Sequence, residues 1–314
     1  MSRVMEKQLS CMEFTVTEEM EEERIDKLLS SLMDSFSRSY IQKLLADGNL
    51  LVNGKVIAKA SFKVHLDDEI NLFIPPAEQL NIEAENIPLD ILYEDDDLIV
   101  VNKPKGMVVH PAPGHYSGTL VNALLYHCGG ELSGINGVLR PGIVHRIDKD
   151  TTGSVIACKN DMAHQSIAAQ LKEHSLTRRY HAIVCGRLPE EEGTIRGNIG
   201  RDSKDRKKMA VVSSGGKEAI THYHVLQRFA KYTYVECELE TGRTHQIRVH
   251  MASIGHPILG DDIYGFSKCP YHLQGQTLHA KILGFIHPKT GEYIETDAPL
   301  PEYFRNLLTV LNQV

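Results

Sequence analysis

Apolar residues recur at helical spacing in the first part of the chain, at Ile25, Leu28, Leu29 and Leu32 and again at Ile41, Leu44 and Leu45, so the pattern predicts two short amphipathic helices. Asp47-Gly48 closes the second helix. Leu50 to Val52, Asn53-Gly54 and Lys55 to Ile57 then read as strand, two-residue turn and strand, because Asn-Gly supplies the positive φ angles that a tight hairpin needs. A further strand, Glu69 to Ile74, runs into Pro75-Pro76. Residues 76–88 hold little periodicity and read as a linker. Residues 1–21 carry Glu6, Glu13 and the start of the acidic run Glu18 to Glu23 and are expected to form a flexible acidic leader.

From residue 89 the rhythm changes. Ile91 to Tyr93 and Leu98 to Val101 are β-type runs separated by the acidic cluster Glu94 to Asp97. Further strands are predicted at Ser154 to Ala157, Tyr180 to Cys185, Ala219 to Leu226 and Tyr232 to Leu239, with helices at Leu120 to Tyr126, Met162 to Lys172 and His245 to Ser253. Strands and helices mix without the regular alternation of a doubly wound fold. The class expected is α+β: a small αα-hairpin domain over 22–75, then a domain over 89–314 with a central mixed, largely antiparallel sheet.

Composition narrows the setting. A chain of 314 residues with 42% hydrophobic positions can bury two cores. The six cysteines are widely spaced, with no C-x-x-C pair, which fits reduced thiols in a cytosol. No apolar stretch approaches a membrane span and the amino terminus lacks an export signal, so a cytoplasmic, monomeric protein is expected. The net charge of −7 argues at first against a polyanionic partner, but its distribution reverses that. Leu139 to Lys217 holds fifteen Lys/Arg against nine Asp/Glu, a balance of +6, and the remainder carries −13.

Within that positive stretch lies His145-Arg146-Ile147-Asp148-Lys149-Asp150-Thr151-Thr152-Gly153, a carboxylate between basic residues followed by a small-residue turn. Arg178-Arg179-Tyr180-His181-Ala182-Ile183-Val184-Cys185-Gly186 and Thr241-Gly242-Arg243-Thr244-His245-Gln246-Ile247-Arg248-Val249-His250 follow in order. Together these resemble the catalytic, tyrosine and basic motifs of the RluA/RluD family of RNA pseudouridine synthases, over nearly the whole chain. Ile147 and Thr152 stand where leucine and serine are usual in the family. Residues 22–75 resemble the S-four type of RNA-binding domain, whose helices would present Arg24, Arg38 and Lys43, with Lys55, to phosphates.

The resemblance implies an isomerase that turns uridine into pseudouridine and needs no metal or organic cofactor. Breaking a base-to-sugar bond calls for a carboxylate that can attack or stabilise the cationic sugar, as in glycosidases. Asp148 matches the family's catalytic aspartate, with Asp150 as the internal competitor. Arg248 would pair with Asp148 and keep it ionised, Tyr180 would pack on the extruded base, and Arg146 would fill the vacated stack. The runs at Lys103 to Gly106, His110 to Gly114 and Ile199 to Asp202 resemble the ribosomal branch, which implies large-subunit ribosomal RNA as the partner. A transfer-RNA enzyme, a hydrolase releasing free uracil and a non-catalytic ribosome-assembly factor are the alternatives. His245 and His250, five apart, diverge on a helix and do not match a metal pair, and Glu94 to Asp97 lacks the glycine and spacing of a calcium loop.

Overall fold

The computed structural model describes residues 10–33, 38–74, 82–112, 114–135, 140–203, 205, 208–266 and 269–313. The chain divides into two compact units, one ending at residue 79 and the other beginning at residue 80.

In the first unit, β1 (Ser10–Thr15), α1 (Ile25–Leu32), α2 (Arg38–Ala46), β2 (Leu50–Val52), β3 (Lys55–Val56) and β4 (Glu69–Ile74) follow one another. The strands form an antiparallel sheet in the order β1-β4-β2-β3. The helical stripes read from the sequence face inward: Ile25, Leu28, Leu29, Ile41, Leu44 and Leu45 pack with Leu50, Val52, Ile70 and Leu72 in one core. Gly48 ends α2 at φ 77°, where its N–H and that of Asn49 return to the carbonyls of Leu45 and Leu44. Asn53 and Gly54, at φ 50° and 74°, make the expected hairpin turn.

The expected flexible leader requires a correction. Ser10 to Thr15 pairs in register with Ile74 to Glu69 as an edge strand. Residues 11, 12, 13 and 15 are exposed and only Phe14 leans on the core, so the strand is held chiefly by main-chain hydrogen bonds and leaves little hydrophobic signature. The earlier residues of the leader, 1–9, lie outside the described residues.

The second unit contains β5 (Ile91–Glu94), β6 (Leu98–Lys103), α3 (Leu120–His127), β7 (Thr152–Cys158), α4 (Asp161–Lys172), β8 (Thr177–Cys185), β9 (Glu192–Arg201), β10 (Met209–Val212), β11 (Lys217–Arg228), β12 (Tyr232–Leu239), α5 (Gln246–Ser253), β13 (Leu278–Ile286), β14 (Tyr293–Asp297) and α6 (Glu302–Leu311). They build a ten-stranded mixed sheet in the order β10-β9-β11-β12-β8-β13-β7-β6-β5, with β14 paired to β13. The parallel contact among the described strands is the short one between β13 and β7, at His279–Ala280 and Thr152–Gly153. There the two backbones approach so closely that a side chain at Gly153 would collide with the Ala280 main chain. This contact fixes the start of β7, and so the loop carrying Asp148, against the sheet centre.

The expected linker also changes character. Residues 76–81 lie outside the described residues, but Ile82 packs on the main core, the Glu83 carbonyl accepts from Asn122 Nδ2 at 2.8 Å, and Glu85 N–H donates to the Asn122 carbonyl at 3.0 Å. The second half of that segment is therefore bound to α3.

Asp26 is a buried charge of the first unit, with its side chain fully covered. Burial pushes its carboxyl up, and hydrogen bonds from Arg24, Gln42 and Arg38 more than offset this, bringing it down to about 2. A carboxylate held below its ordinary value stabilises the fold above that ordinary value, and the contribution fades as pH falls toward 2. Asp26→Ala should cost the first unit about 1–3 kcal/mol. Hydrogen exchange of its helices in the full chain should report this loss, and Asn at 26 should remove the stability change between pH 4 and 2.

Candidate active site

The largest concentration of predicted site residues lines a cleft of about 310 Å³ formed by residues 144–151, β8, the end of β12 and the start of α5. Each wall is fixed by local hydrogen bonding. The Asp148 loop is closed by Thr151 N–H on the Asp148 carbonyl at 3.1 Å and held from outside by Gly106 N–H and Lys103 Nζ, both 3.0 Å from the Lys149 carbonyl. Lys103 is wholly buried and also donates to the carbonyls of Pro104 and Met107. Burial brings its pKa down to about 7, against the opposing pull of Asp150 and Asp148.

The opposite wall begins with a reversal. His245 sits in the left-handed region at φ 57° directly before α5. Gln246 staples this turn: its Oε1 accepts from Thr241 Oγ1 at 2.8 Å and Arg243 N–H at 2.9 Å, and its Nε2 donates to the Ile220 carbonyl at 2.9 Å. Arg248, one turn into the helix, is thereby aimed at the cleft.

Arg248 Nη1 donates to Asp148 Oδ2 at 2.8 Å. Its other side is occupied by Asp261, which receives Nε at 2.7 Å and Nη2 at 2.9 Å. The Asp261 side chain is fully buried, and its Oδ1 also accepts from the N–H groups of Ile263 and Tyr264. Burial opposes both charges, yet the pairing wins: Asp261 is lowered, and Arg248 is raised by Asp261 first and Asp148 second. The Tyr264 ring lies 5.1 Å from the guanidinium carbon, and its hydroxyl is 2.9 Å from His245 Nδ1. His245 Nε2 approaches Asp148 Oδ1 at 3.7 Å, while burial lowers the pKa of its ring despite Asp148.

Asp148 itself is 21% exposed, open to the cleft and backed by one arm of a guanidinium. Tyr180 lines the same cleft at 8% exposure, its phenol pushed up by burial, pulled down by Arg178 and pushed up again by Asp148. Arg146 stands exposed among the lining residues. Four of the residues singled out in the sequence, Asp148, Tyr180, Arg248 and Arg146, are thus brought together. Asp150 is not in the lining; it lies near Lys103, Lys105 and Gly275. In the first unit, Lys43 is exposed, but Arg24 and Arg38 both spend donors on Asp26 and are about half exposed.

Sequence reasoning missed Asp261, Tyr264, Arg178 and His145. Asp261 follows Gly260 in a stretch without periodicity and gave no signal. His145 shows in the sequence only as part of a motif; its Nε2 accepts from Ile156 N–H at 3.0 Å, and burial and Arg178 bring its pKa down to about 4. His245 and His250 do diverge, bonding Tyr264 and Thr221 respectively. Asp95, Asp97 and His287 converge elsewhere. There His287 Nε2 reaches Asp95 at 2.7 Å while Nδ1 accepts from the N–H groups of Lys289 and Thr290, so both ring nitrogens are engaged by the fold.

Residues 97–253 match the family model described as RNA pseudouridylate synthase, half of the chain. The chain belongs to this family. Residues 23–70 match the S4 domain model, which gives the synthase an RNA-binding module. It is 54% identical to the Bacillus subtilis protein named RNA pseudouridine synthase YlyB, over 96% of this chain and 98% of that one. It is 48% identical to ribosomal large subunit pseudouridine synthase D of Zymomonas mobilis, over 95% and 96%. The solved human RNA pseudouridylate synthase domain containing 1 superposes with a TM-score of 0.57 at 25% identity, covering 77% of this chain and 98% of that chain. The synthase is an isomerase that converts uridine in RNA to pseudouridine, which displaces the hydrolase and binding-only readings. Among the described residues no helix is long and apolar enough to cross a membrane.

Asp261 touches Arg248 rather than the cleft, so its part is to position. Asp261→Asn is expected to lower kcat roughly 100-fold by letting the guanidinium drift, with KM for RNA nearly unchanged. Steady-state kinetics check this; an unaltered kcat would show that Arg248 needs no second carboxylate.

Proposed function

We propose that the synthase modifies large-subunit ribosomal RNA, with Asp148 reacting at the sugar of an extruded uridine. The observation that carries the site assignment is the 2.8 Å contact between Arg248 and Asp148 in a cleft large enough for a nucleotide. Arg248 keeps the carboxylate charged and oriented, and leaves Oδ1 turned toward the cleft side where His245 stands 3.7 Å away. Attack at C1′ releases the base with the bonding electron pair. The base turns within the cleft and rejoins through carbon. Tyr180 gives the base a ring to pack against while it is detached, and Arg146, exposed beside the Asp148 loop, enters the RNA stack that the uridine has left.

Support for the ribosomal substrate comes from two directions. Relatives at 44–48% identity over more than nine-tenths of the chain carry the name ribosomal large subunit pseudouridine synthase D. The first unit offers Lys43, and the free donors of Arg24 and Arg38, to phosphates. With such a substrate we propose a cytoplasmic enzyme, and we propose that it acts as a monomer.

Asp148→Asn and Asp148→Ala are expected to abolish turnover while Asp150→Asn retains it, measured as pseudouridine in nucleosides digested from the RNA. Tyr180→Phe should stay near wild type and Tyr180→Leu should lose most activity; the reverse order would exclude packing as the role. Pseudouridine maps of RNA from cells with and without the gene test the substrate. Loss of a large-subunit site is expected, and loss of a transfer-RNA site alone would overturn the ribosomal assignment.

A further inference from the structure

Arg178 carries a charge that no carboxylate among the described residues neutralises. It is 6% exposed, lies in the cleft wall, and pairs with no carboxylate among the described residues. Its Nη2 donates to the carbonyls of Leu239 and Glu240, at 3.4 and 2.9 Å, and its Nε is buried without any partner. Glu240, the acid nearest along the chain to those carbonyls, turns its own carboxylate to His222 at 2.6 Å. No carboxylate is among the groups that act on Arg178 most strongly: Arg243 is nearby, and His145 is held neutral. Space is kept for the guanidinium by Gly242, where any side chain would strike Arg178 Nη1. A guanidinium buried on neutral carbonyls alone is costly, and an arrangement that preserves it is built for an acceptor that arrives with the ligand.

Position selects the acceptor. Arg178 and Tyr180 are two residues apart on β8 and their side chains share one face, about 7 Å apart along the strand. Tyr180 has both Asp148 and Arg178 as charged neighbours. A base lying on the Tyr180 ring, joined to a sugar at Asp148, presents its far edge to Arg178. In uracil that edge carries the 4-carbonyl oxygen. Phosphates, on the outside of the extruded nucleotide, stay away from a side chain that is 6% exposed in the cleft wall.

We propose that Arg178 donates to the 4-carbonyl oxygen of the target uracil, an assignment that rests on the roles given above to Tyr180 and Asp148. Cytosine carries an amino group at the same position, so donor would face donor and cytidine is rejected. Arg178 also acts on the reaction. When the C1′–N1 bond breaks, its electron pair leaves with the base and spreads onto the carbonyl oxygens, where a buried guanidinium stabilises it. The pair is used again in forming the C1′–C5 bond, and the C5 proton passes in net to N1, so no other reactant is required.

The test uses the RNA segment around the mapped target, synthesised with uridine or with 4-thiouridine at that one position, and kcat measured at saturating RNA. Sulfur is the weaker acceptor, so wild type should turn over the thio substrate about 10-fold more slowly, and R178Q should lose about 100-fold on uridine with KM little changed. The penalty for sulfur should shrink to about 2-fold in R178Q, because the interaction that senses it is gone. R178K, which keeps the charge and one set of donors, provides the same comparison and should show an intermediate penalty. A wild-type enzyme indifferent to sulfur, or a penalty equal in wild type and both variants, would overturn the proposal, since a merely structural arginine slows both substrates alike. Asp148→Ala, inactive on both RNAs, reports separately on the catalytic assignment.

Discussion

In the mechanism proposed above, the guanidinium of Arg248 is the hinge of this enzyme's chemistry: two of its nitrogens are committed to a fully buried carboxylate, and the third is thereby aimed at Asp148. A lone arginine beside Asp148 would have several rotamers available and could swing to solvent. Asp261 removes that freedom and compensates the burial of the charge, so that the contact with Asp148 is made by a group already fixed before RNA arrives. The preorganisation is layered. Main-chain N–H groups of Ile263 and Tyr264 hold Asp261, Tyr264 lies against Arg248 and touches His245, and Gln246 secures the turn from which α5 starts.

The sheet makes this possible by bringing distant segments to one place. β8 and β12 pair over most of their length and bring Tyr180 and the Leu239–Glu240 carbonyls together, while the tight β13–β7 contact at Gly153 anchors the Asp148 loop from the other side. Lys103, at the end of β6, binds the Lys149 carbonyl and so joins a third strand to the same loop. The floor of the cleft is consequently tied to the sheet from several sides.

Much of this was legible in the chain. Helices with a clean apolar stripe, such as α1 and α2, and strands with strong β character, such as β12, fall within a residue or two of their predicted limits. Asp148, Tyr180 and Arg248, which the structure brings to one cleft, could be singled out because their motifs are local. Elements that escaped lack a local signal. β1 is an exposed edge strand whose order comes from its backbone ladder, and β9 holds Gly193, Gly197 and Gly200 among polar residues, since packing against Tyr223, Val211 and Val212 leaves no room for side chains. Asp261 was invisible for a related reason: its function is defined by a partner 13 residues away across a turn. Arg24 and Arg38 show a tie the chain does not reveal: both read as surface cations by composition, yet each also spends donors on the buried Asp26.

The proposed chemistry turns on what lies against Asp148 when RNA is bound. A crystal structure of the Asp148→Asn enzyme with its target RNA measures this directly. The side chain at 148 is predicted to lie about 3–3.5 Å from C1′ of an extruded uridine, with the base against Tyr180 and Arg248 still bound to Asp261. A target ribose seated away from residue 148, with the uridine left in its helix, would contradict the central claim.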